Sequence, residues 1–433
     1  MLFNSLEFIV FFPIVCIAYW TMRAMLPESV SLKARNIMLL LASYYFYMCW
    51  KPIYVLLLLG STIITYTAAI FIDKYNENTK KKKSFLTLAI VLNLAILFFY
   101  KYFNFAAASI STFMRSSGIG IEIPGLDILL PVGISFYIFQ ALGYSIDVYR
   151  GEIKAERNFF TYALFVSFFP QLVAGPIERS TNLLRQFKED HKFDYNFAMS
   201  GFRLMLWGYF LKLCLADRAA GYVDAVFNNL ASHEGYSTLI ASVFFSLQIY
   251  GDFAGYTFIA IGCARILGFS LRDNFCRPYF SASVTEFWRR WHISLSTWLR
   301  DYIYFPLGGS KTTKVKTLRN LLITFGISGI WHGANWTFVL WGLIHGLVMC
   351  LERILGINKK QWSFIPRTIH IIFTLIIINF AWMLFRANNI SDFFTALRLF
   401  FTPSDFTYAC GDIIFMVLLP TIILLAKEIY EEY

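Results

Sequence analysis

The chain has 433 residues, of which 58% are hydrophobic and only 15% are charged, and its mean hydropathy is +0.56. This composition excludes an ordinary soluble globular protein and indicates an integral membrane protein. A net charge of +11 would suggest nucleic-acid binding in a soluble protein. In a membrane protein we assign the lysines and arginines to cytoplasmic loops, so no nucleic-acid partner is predicted.

The first part of the chain predicts membrane helices separated by basic segments. Leu2–Trp20 has no basic residue before it and Arg23 after it, so we interpret it as a retained helix with its N-terminus outside. Ile37–Cys49 is short for a crossing of ~20 residues and is predicted to pair with Ile53–Phe71. The run Lys80–Lys83 is assigned to the cytoplasm by the positive-inside rule.

Several later segments place polar residues or helix breakers in apolar surroundings. Ile128–Val148 contains a glutamine and an aspartate, whose polar groups need partners. Phe159–Ala174 contains Pro170 and precedes a Gly-Pro pair, which predicts a re-entrant piece covered by protein.

Phe197–Leu215 and Leu239–Leu267 are predicted as further membrane segments. The second contains Asp252 amid glycines and aromatic residues. A buried carboxylate needs a cation or hydrogen-bond donors nearby, and we expect Asp252 to pair with Arg265 or Arg272.

The segment Ser283–Ser310 predicts an amphipathic helix, ended by Tyr304–Gly309, that lies at the membrane interface. Its apolar face combines Trp291, Leu295, Trp298 and Tyr302. Glu286 lies four residues before Arg290, a spacing that favours an ion pair. His292 lies four residues after Trp288, so we expect its ring to share a face with an aromatic side chain.

Phe325–Gly346 places two histidines in an apolar, tryptophan-rich segment. An ionisable residue within a membrane is a functional candidate by default, which singles out His332. Gly326, Ser328, Gly329 and Gly333 would permit close approach of a helix or a substrate. A helix interface with a hydrogen-bonded histidine explains the same residues equally well.

Two apolar segments follow, His370–Phe385 and Ile413–Ala426. The whole chain then predicts an all-α, polytopic membrane protein with roughly ten to twelve membrane-embedded helices, some re-entrant, at ~20 residues each. The seven cysteines are scattered singly, so we interpret them as small hydrophobic side chains and predict neither disulfides nor a metal site.

Five long motifs, all within Leu129–Gly346, resemble the membrane-bound O-acyltransferase (MBOAT) family. They are LLPVGISFYIFQALGYSIDVYRG, FFPQLVAGPIERSTNLL, YGDFAGYTFIAIGCARILGF, EFWRRWHISLSTWLRDYIYFPLGG and GISGIWHGANWTFVLWGLIHG. They are similar to the bacterial branch typified by alginate O-acetyltransferase membrane subunits, and to peptidoglycan O-acetyltransferase membrane subunits. The resemblance implies a single membrane domain over residues 1–433, with helices around a central tunnel.

The resemblance also implies the site residues. His332 in WHGANW matches the family's catalytic histidine, and His292 in WRRWHIS matches a second functional histidine of this branch. Substrate-binding candidates are Trp331, Asn335, Trp336, Trp288, Arg289 and, more weakly, His345. The expected donor is acetyl-CoA, with no resident cofactor.

Acyl transfer from a thioester requires an acceptor hydroxyl that loses its proton as it attacks. An imidazole with an ordinary pKa of ~6.5 can take that proton near neutral pH, so His332 is predicted to be the general base. Backbone amides near the glycines, Asn335 or His292 are candidates to stabilise the oxyanion.

The resemblance implies an enzyme of a bacterial cytoplasmic (inner) membrane that serves O-acetylation of an extracytoplasmic polysaccharide: alginate, cellulose or peptidoglycan. The acyl group would pass through an extracytoplasmic SGNH-type acetyltransferase or a small membrane partner. Two alternatives stay open at this point. One is D-alanyl transfer to teichoic acid from a carrier-protein thioester, and the other is an ion- or proton-coupled transporter that uses His332, His292 and Asp252.

Overall fold

The structure is a computed structural model that describes residues 1–233, 235–357, 360, 362–402 and 411–433. The long regular elements among these residues are helices, which confirms the all-α prediction. In chain order they are α1 Leu6–Met25, α2 Glu28–Met48, α3 Val55–Lys74, α4 Thr79–Leu97, α5 Phe103–Ser116, α6 Ile134–Arg150, α7 Phe159–Ser167, α8 Phe169–Leu172, α9 Tyr195–Tyr209, α10 Asp217–Phe227, α11 Tyr236–Ile266, α12 Val284–Arg290, α13 Ile293–Leu299, α14 Lys314–His332, α15 Trp336–Leu355, α16 Phe364–Arg386, α17 Ile390–Phe400 and α18 Gly411–Glu432.

Six helical segments of the described residues are long and apolar enough to cross a membrane. They are Leu6–Met25, Pro52–Lys74, Thr79–Ser116, Trp336–Leu355, Phe364–Arg386 and Ile413–Glu432. In α1, Phe8 and Phe12 are buried whereas Leu6 and Ile9 are exposed. A helix that is apolar on both its buried and its exposed face is suited to lipid, so the protein is a multi-pass membrane protein. The total of ten to twelve embedded helices stays a prediction.

The chain divides into two compact units. The first comprises Met1–Met205 and Thr257–Arg272, and the second comprises Leu206–Tyr256 and Asp273–Tyr433. The chain passes between them three times, within α9, within α11 and at Arg272–Asp273 after α11. The predicted site residues all belong to the second unit. The single domain over residues 1–433 stays a prediction.

The predicted helix break of the first unit is present. The chain leaves α7 at Phe168 and begins the short α8 around Pro170, and both residues are buried. The Phe165 carbonyl accepts hydrogen bonds from Gln140 and from Gln171, the latter at 2.9 Å. These bonds satisfy polar groups that the interrupted helix would otherwise leave unpaired.

Two expectations are corrected by the geometry. The lysines of Lys80–Lys83 belong to the first turns of α4 and not to a loop. The carboxylate of Asp252 lies 2.5 Å from the Lys212 ammonium, which also lies 2.8 Å from Asp217. The prediction from sequence considered only the arginines that follow Asp252, whereas its cation comes from the π-helical turn Phe210–Ala216, earlier in the chain.

Candidate active site

Helices α14 and α15 form a tightly packed pair that carries four of the predicted residues. A Cβ atom at Gly329 would lie 2.2 Å from the Phe338 carbonyl oxygen, and one at Gly342 would lie 2.3 Å from the Phe325 carbonyl oxygen. Such distances exclude any larger residue, so the two glycines allow the backbones to touch. The close approach predicted from the glycines is therefore present at Gly329, whereas Gly326 has ordinary space around it.

His332 is the last residue of α14 and is half-buried among aromatic rings. Its ring centroid lies 4.9 Å from that of Trp341 and 5.3 Å from that of Phe385. The His292 ring lies 6.4 Å from it. The structure thus brings together the two histidines that the sequence pattern placed forty residues apart.

The prediction of one continuous amphipathic helix over Ser283–Ser310 is wrong. The helix breaks at His292, whose backbone is left-handed with φ 44° and ψ 53°, between α12 and α13. Trp291 and Trp298 are both buried as predicted, but they belong to different segments. The predicted ion pair between Glu286 and Arg290 is confirmed at 2.7 Å.

Asn274 holds the strained turn at His292. Its carbonyl accepts a hydrogen bond from the Ile293 amide at 3.0 Å, and its Oδ1 accepts from the Ser294 amide at 3.1 Å and hydroxyl at 2.9 Å. Asn274 is fully buried, so these bonds are shielded from water. No sequence pattern links Asn274 to a turn that begins eighteen positions later, so its role was not predicted.

The His292 ring is buried in the second unit. Its centroid lies 4.6 Å from Phe253 and 5.8 Å from Trp331. This burial lowers the pKa of His292 to about 3. The ring is therefore neutral at physiological pH and carries one N–H group.

His345 lies on α15 and is fully buried. Its Nδ1 accepts a hydrogen bond from the Trp288 indole N–H at 3.3 Å. A neutral imidazole that accepts at Nδ1 carries its proton on Nε2, which fixes the tautomer. The predicted substrate-binding residues Trp288 and His345 thus contact each other.

A cavity of about 450 Å³ lies in the second unit, and its described lining includes Ile293, the residue after His292, and Trp288, but no histidine. Its wall includes Leu321, Thr324, Phe325 and Ser328 of α14, at spacings that place them on one helix face. His332 lies one turn beyond Ser328 on that same face. The cavity is also lined by Arg289, Arg300 and Arg353, and none of its described lining residues is acidic.

The remaining predicted residues have distinct positions. Arg289 is exposed and lines the cavity, and its contact with a substrate stays a prediction. Asn335 is the N-cap of α15, with its Oδ1 accepting from the Thr337 amide at 3.1 Å and its Nδ2 donating to the Asn388 carbonyl at 2.6 Å. The side-chain amide of Asn335 is therefore used to cap the start of α15. Trp336 is 52% exposed, so the first turn of α15 presents it outward.

Two carboxylates near this site were missed, of which Glu352 is buried and Glu432 is half-buried. Glu352 contacts the start of α12, and Glu432 accepts hydrogen bonds from Arg290 at 2.9 and 3.0 Å. The signal was present in the sequence, because both are acidic residues at the ends of apolar helices. The rule that singled out His332 applies to them as well.

The chain is similar to known acyltransferases. The membrane-bound O-acyltransferase family model matches residues 42–391. A protein named probable alginate O-acetylase AlgI, from Pseudomonas syringae pv. tomato, is 41% identical over 82% of this chain and 68% of its own length. A peptidoglycan O-acetyltransferase from Helicobacter pylori is 33% identical over 92% of this chain and 79% of its own length. A teichoic acid D-alanyltransferase from Bacillus subtilis is 26% identical over 59% of this chain and 67% of its own length.

Proposed function

Since the chain belongs to the membrane-bound O-acyltransferase family, we propose that this O-acetyltransferase transfers an acetyl group from acetyl-CoA for the modification of an extracytoplasmic polysaccharide. Relatives named for alginate and peptidoglycan support a polysaccharide as the final acceptor. The proposal assigns the donor to the cavity of the second unit and the general base to His332.

One observation carries the proposal: His332 continues the helix face that lines an arginine-rich cavity. A ligand in this cavity meets apolar walls at Phe325 and Trp288 and positive charge at Arg353. Acetyl-CoA has the matching chemistry, because its phosphates are anionic and its pantetheine arm is long and largely uncharged. Guanidinium groups bind phosphates through charge-assisted hydrogen bonds.

His332 takes the proton of the acceptor hydroxyl as that oxygen attacks the thioester carbonyl carbon. A new C–O bond forms and the carbonyl π electrons move onto oxygen. Collapse of this tetrahedral intermediate breaks the C–S bond, and the CoA sulfur leaves as a thiolate that accepts a proton from the imidazolium of His332. The neutral His292 supplies one N–H group to stabilise the oxyanion.

In this proposal α14 carries His332 away from the cytoplasmic side. It begins within the basic segment Lys311–Arg319, which the positive-inside rule assigns to the cytoplasm. With 19 residues at ~1.5 Å each, it places His332 about 27 Å from that end, close to the ~30 Å hydrocarbon thickness. Donor from one side and acceptor from the other can then meet at the same imidazole.

The bacterial relatives support a cytoplasmic membrane location. We propose that the acetyl group leaves to an extracytoplasmic partner, either an SGNH-type acetyltransferase or a small membrane protein, and then reaches a sugar hydroxyl. The D-alanyl alternative has weaker support, since the relative with that activity is less identical and covers less of this chain. The transporter alternative is weakened, because Asp252, its candidate carboxylate for an ion or proton path, is ion-paired with Lys212.

The proposal is tested by release of CoA thiol from acetyl-CoA by the protein in lipid nanodiscs. We expect wild-type protein to release thiol and His332→Ala to lose about 10²-fold or more in rate, because general-base catalysis contributes on that order. His370→Ala is the matched control, since His370 is also half-buried but contacts Trp362 outside the site.

Equal rates for the two variants would reject His332 as the base. No thiol release from wild type, with extracts of the native envelope added as a source of acceptor, would reject acetyl-CoA as the donor.

A further inference from the structure

Helix α15 holds the short helix α12 in place, and α12 ends at Arg290, two residues before His292. At the start of α12, Glu352 accepts hydrogen bonds from the Val284 amide at 2.6 Å and from the Thr285 amide and hydroxyl at 2.9 and 2.6 Å. Glu352 is 7% exposed. Amide groups in the first turn of a helix lack intrahelical partners, so a carboxylate there both satisfies them and complements the helix dipole.

A second contact lies two turns earlier on the same face of α15. His345 accepts the hydrogen bond of Trp288, the fifth residue of α12. The spacing of seven residues between His345 and Glu352 places both on one side of α15. Two fixed points set the position of α12 along α15 and its rotation, which one contact cannot do.

The same face of α15 also contacts the other histidine. Trp341 lies four residues before His345, and its ring centroid is 4.9 Å from that of His332. The close glycine contact between Gly329 and Gly342 fixes α14 against α15. Helix α15 is therefore the common support of both histidines.

We propose that Glu352 and His345 are positioning residues, which hold α12 against α15 and thereby place His292 opposite His332. This inference rests on the proposed function. Neither residue is assigned contact with the reacting atoms. They affect the reaction only through the position of His292. Their effect on kcat should therefore disappear when His292 is removed.

Glu352→Gln is the sharpest variant for the carboxylate contact. The side chains are isosteric, but glutamine has only one acceptor oxygen, and its NH₂ group would face one of the donors that Glu352 accepts. We expect kcat to fall about tenfold or more, because small misplacements of catalytic groups have effects of this size. The KM for acetyl-CoA should rise as well, because Thr285, Trp288 and Arg289 of α12 line the cavity, so the diagnostic readout is whether the loss of kcat depends on His292.

The double-mutant cycle with His292→Ala separates positioning from general stability. In the His292→Ala background, Glu352→Gln should reduce kcat by less than about threefold, because the group it positions is absent. Glu178→Gln is the control, since Glu178 is also a buried carboxylate that accepts a backbone amide, from Arg272 at 2.6 Å, but belongs to the first unit. Any loss it causes should be the same in both backgrounds.

The hydrogen bond from Trp288 is tested by two variants of His345. Asparagine can present an acceptor near the position of Nδ1, whereas phenylalanine fills the space without one. We expect His345→Asn to retain more of the wild-type kcat than His345→Phe. Equal kcat values for the two variants would overturn the role of this bond.

Amide hydrogen exchange reports how firmly α12 is held and does not require enzymatic activity. Glu352→Gln should raise exchange in residues 284–300 and leave α1 and α2 unchanged. Unchanged exchange in 284–300, or equal kcat losses with and without His292, would overturn the inference. If wild type releases no thiol but exchange in 284–300 is faster in Glu352→Gln, the proposed function would be rejected. The contact that holds α12 against α15 would still be supported.

Discussion

His292 occupies a backbone conformation that non-glycine residues rarely adopt, with φ 44°. Such strain persists only where the surroundings enforce it, and here Asn274 provides the hydrogen bonds that do so. The residue could be identified from the motif WRRWHIS, but its turn could not. Helical spacing continues through the motif without glycine or proline, and the residue that anchors the turn lies in another part of the sequence.

The burial of His292 predicts a specific dependence of stability on pH. Its folded-state pKa is lowered to about 3, below the ~6.5 of an unfolded chain. Above ~6.5 both states are neutral, and below it only the unfolded state takes up the proton, so stability falls as the pH falls. This single group should cost about 1.4 kcal/mol at pH 5.5.

The measurement is thermal unfolding in detergent at pH 7.5 and pH 5.5. Wild type and His370→Gln should lose more stability on acidification than His292→Gln, which lacks the group. An equal loss in all three proteins would show that His292 does not contribute to the dependence.

At the scale of elements, the pair α14 and α15 was largely predictable, because glycines within an apolar segment indicate close helix packing. The broken segment α12–α13 was not, because its start is capped from α15 and its end from Asn274. Tertiary contacts of this kind override a local helical pattern. Glu352 was recognisable in sequence as an acidic residue in an apolar helix, but its partner, the start of α12, was not.

Substitution by alanine should have opposite effects on stability at two glycines of α14. A Cβ at Gly329 would lie 2.2 Å from a backbone oxygen, whereas one at Gly326 would meet only the Leu343 side chain at 3.7 Å. We expect Gly329→Ala to destabilise the protein by about 1–3 kcal/mol or more, by overpacking. Gly326→Ala should be neutral or stabilising by up to about 1 kcal/mol, through helix propensity.

Thermal unfolding and thiol release of the two alanine variants test this prediction. Gly329→Ala should also lower the rate of thiol release, because His332 lies three residues beyond the displaced contact. Similar stability and activity for both variants would mean that the helices can separate without cost.

At the scale of the whole molecule, composition was sufficient to establish a membrane protein, and apolar segments located its long helices. The division into two units was beyond the sequence, because each unit combines two separated stretches of chain. The arginine-rich cavity could not be predicted from the sequence for the same reason. Arg289, Arg300 and Arg353 come from three different segments and share a wall only after folding.

The cavity predicts that Arg353 binds the anionic part of the donor. Arg353→Met removes the charge and retains an apolar stem, so the KM for acetyl-CoA should rise about tenfold while kcat changes less than about twofold. Lys316→Met is the matched control, because it removes the same charge from an exposed position on α14 outside the cavity. Long-range attraction of an anion would be weakened equally by both changes.

Initial rates of thiol release over a range of acetyl-CoA concentrations, at low and at high salt, separate these contributions. A rise in KM that is specific to Arg353→Met and persists at high salt indicates direct contact, because salt screens attraction between separated charges more than a hydrogen-bonded pair. Equal rises in both variants that disappear at high salt would reduce the role of Arg353 to general electrostatic attraction. The donor would then have to bind elsewhere in the second unit, and the helix face that leads to His332 would lose its assigned ligand.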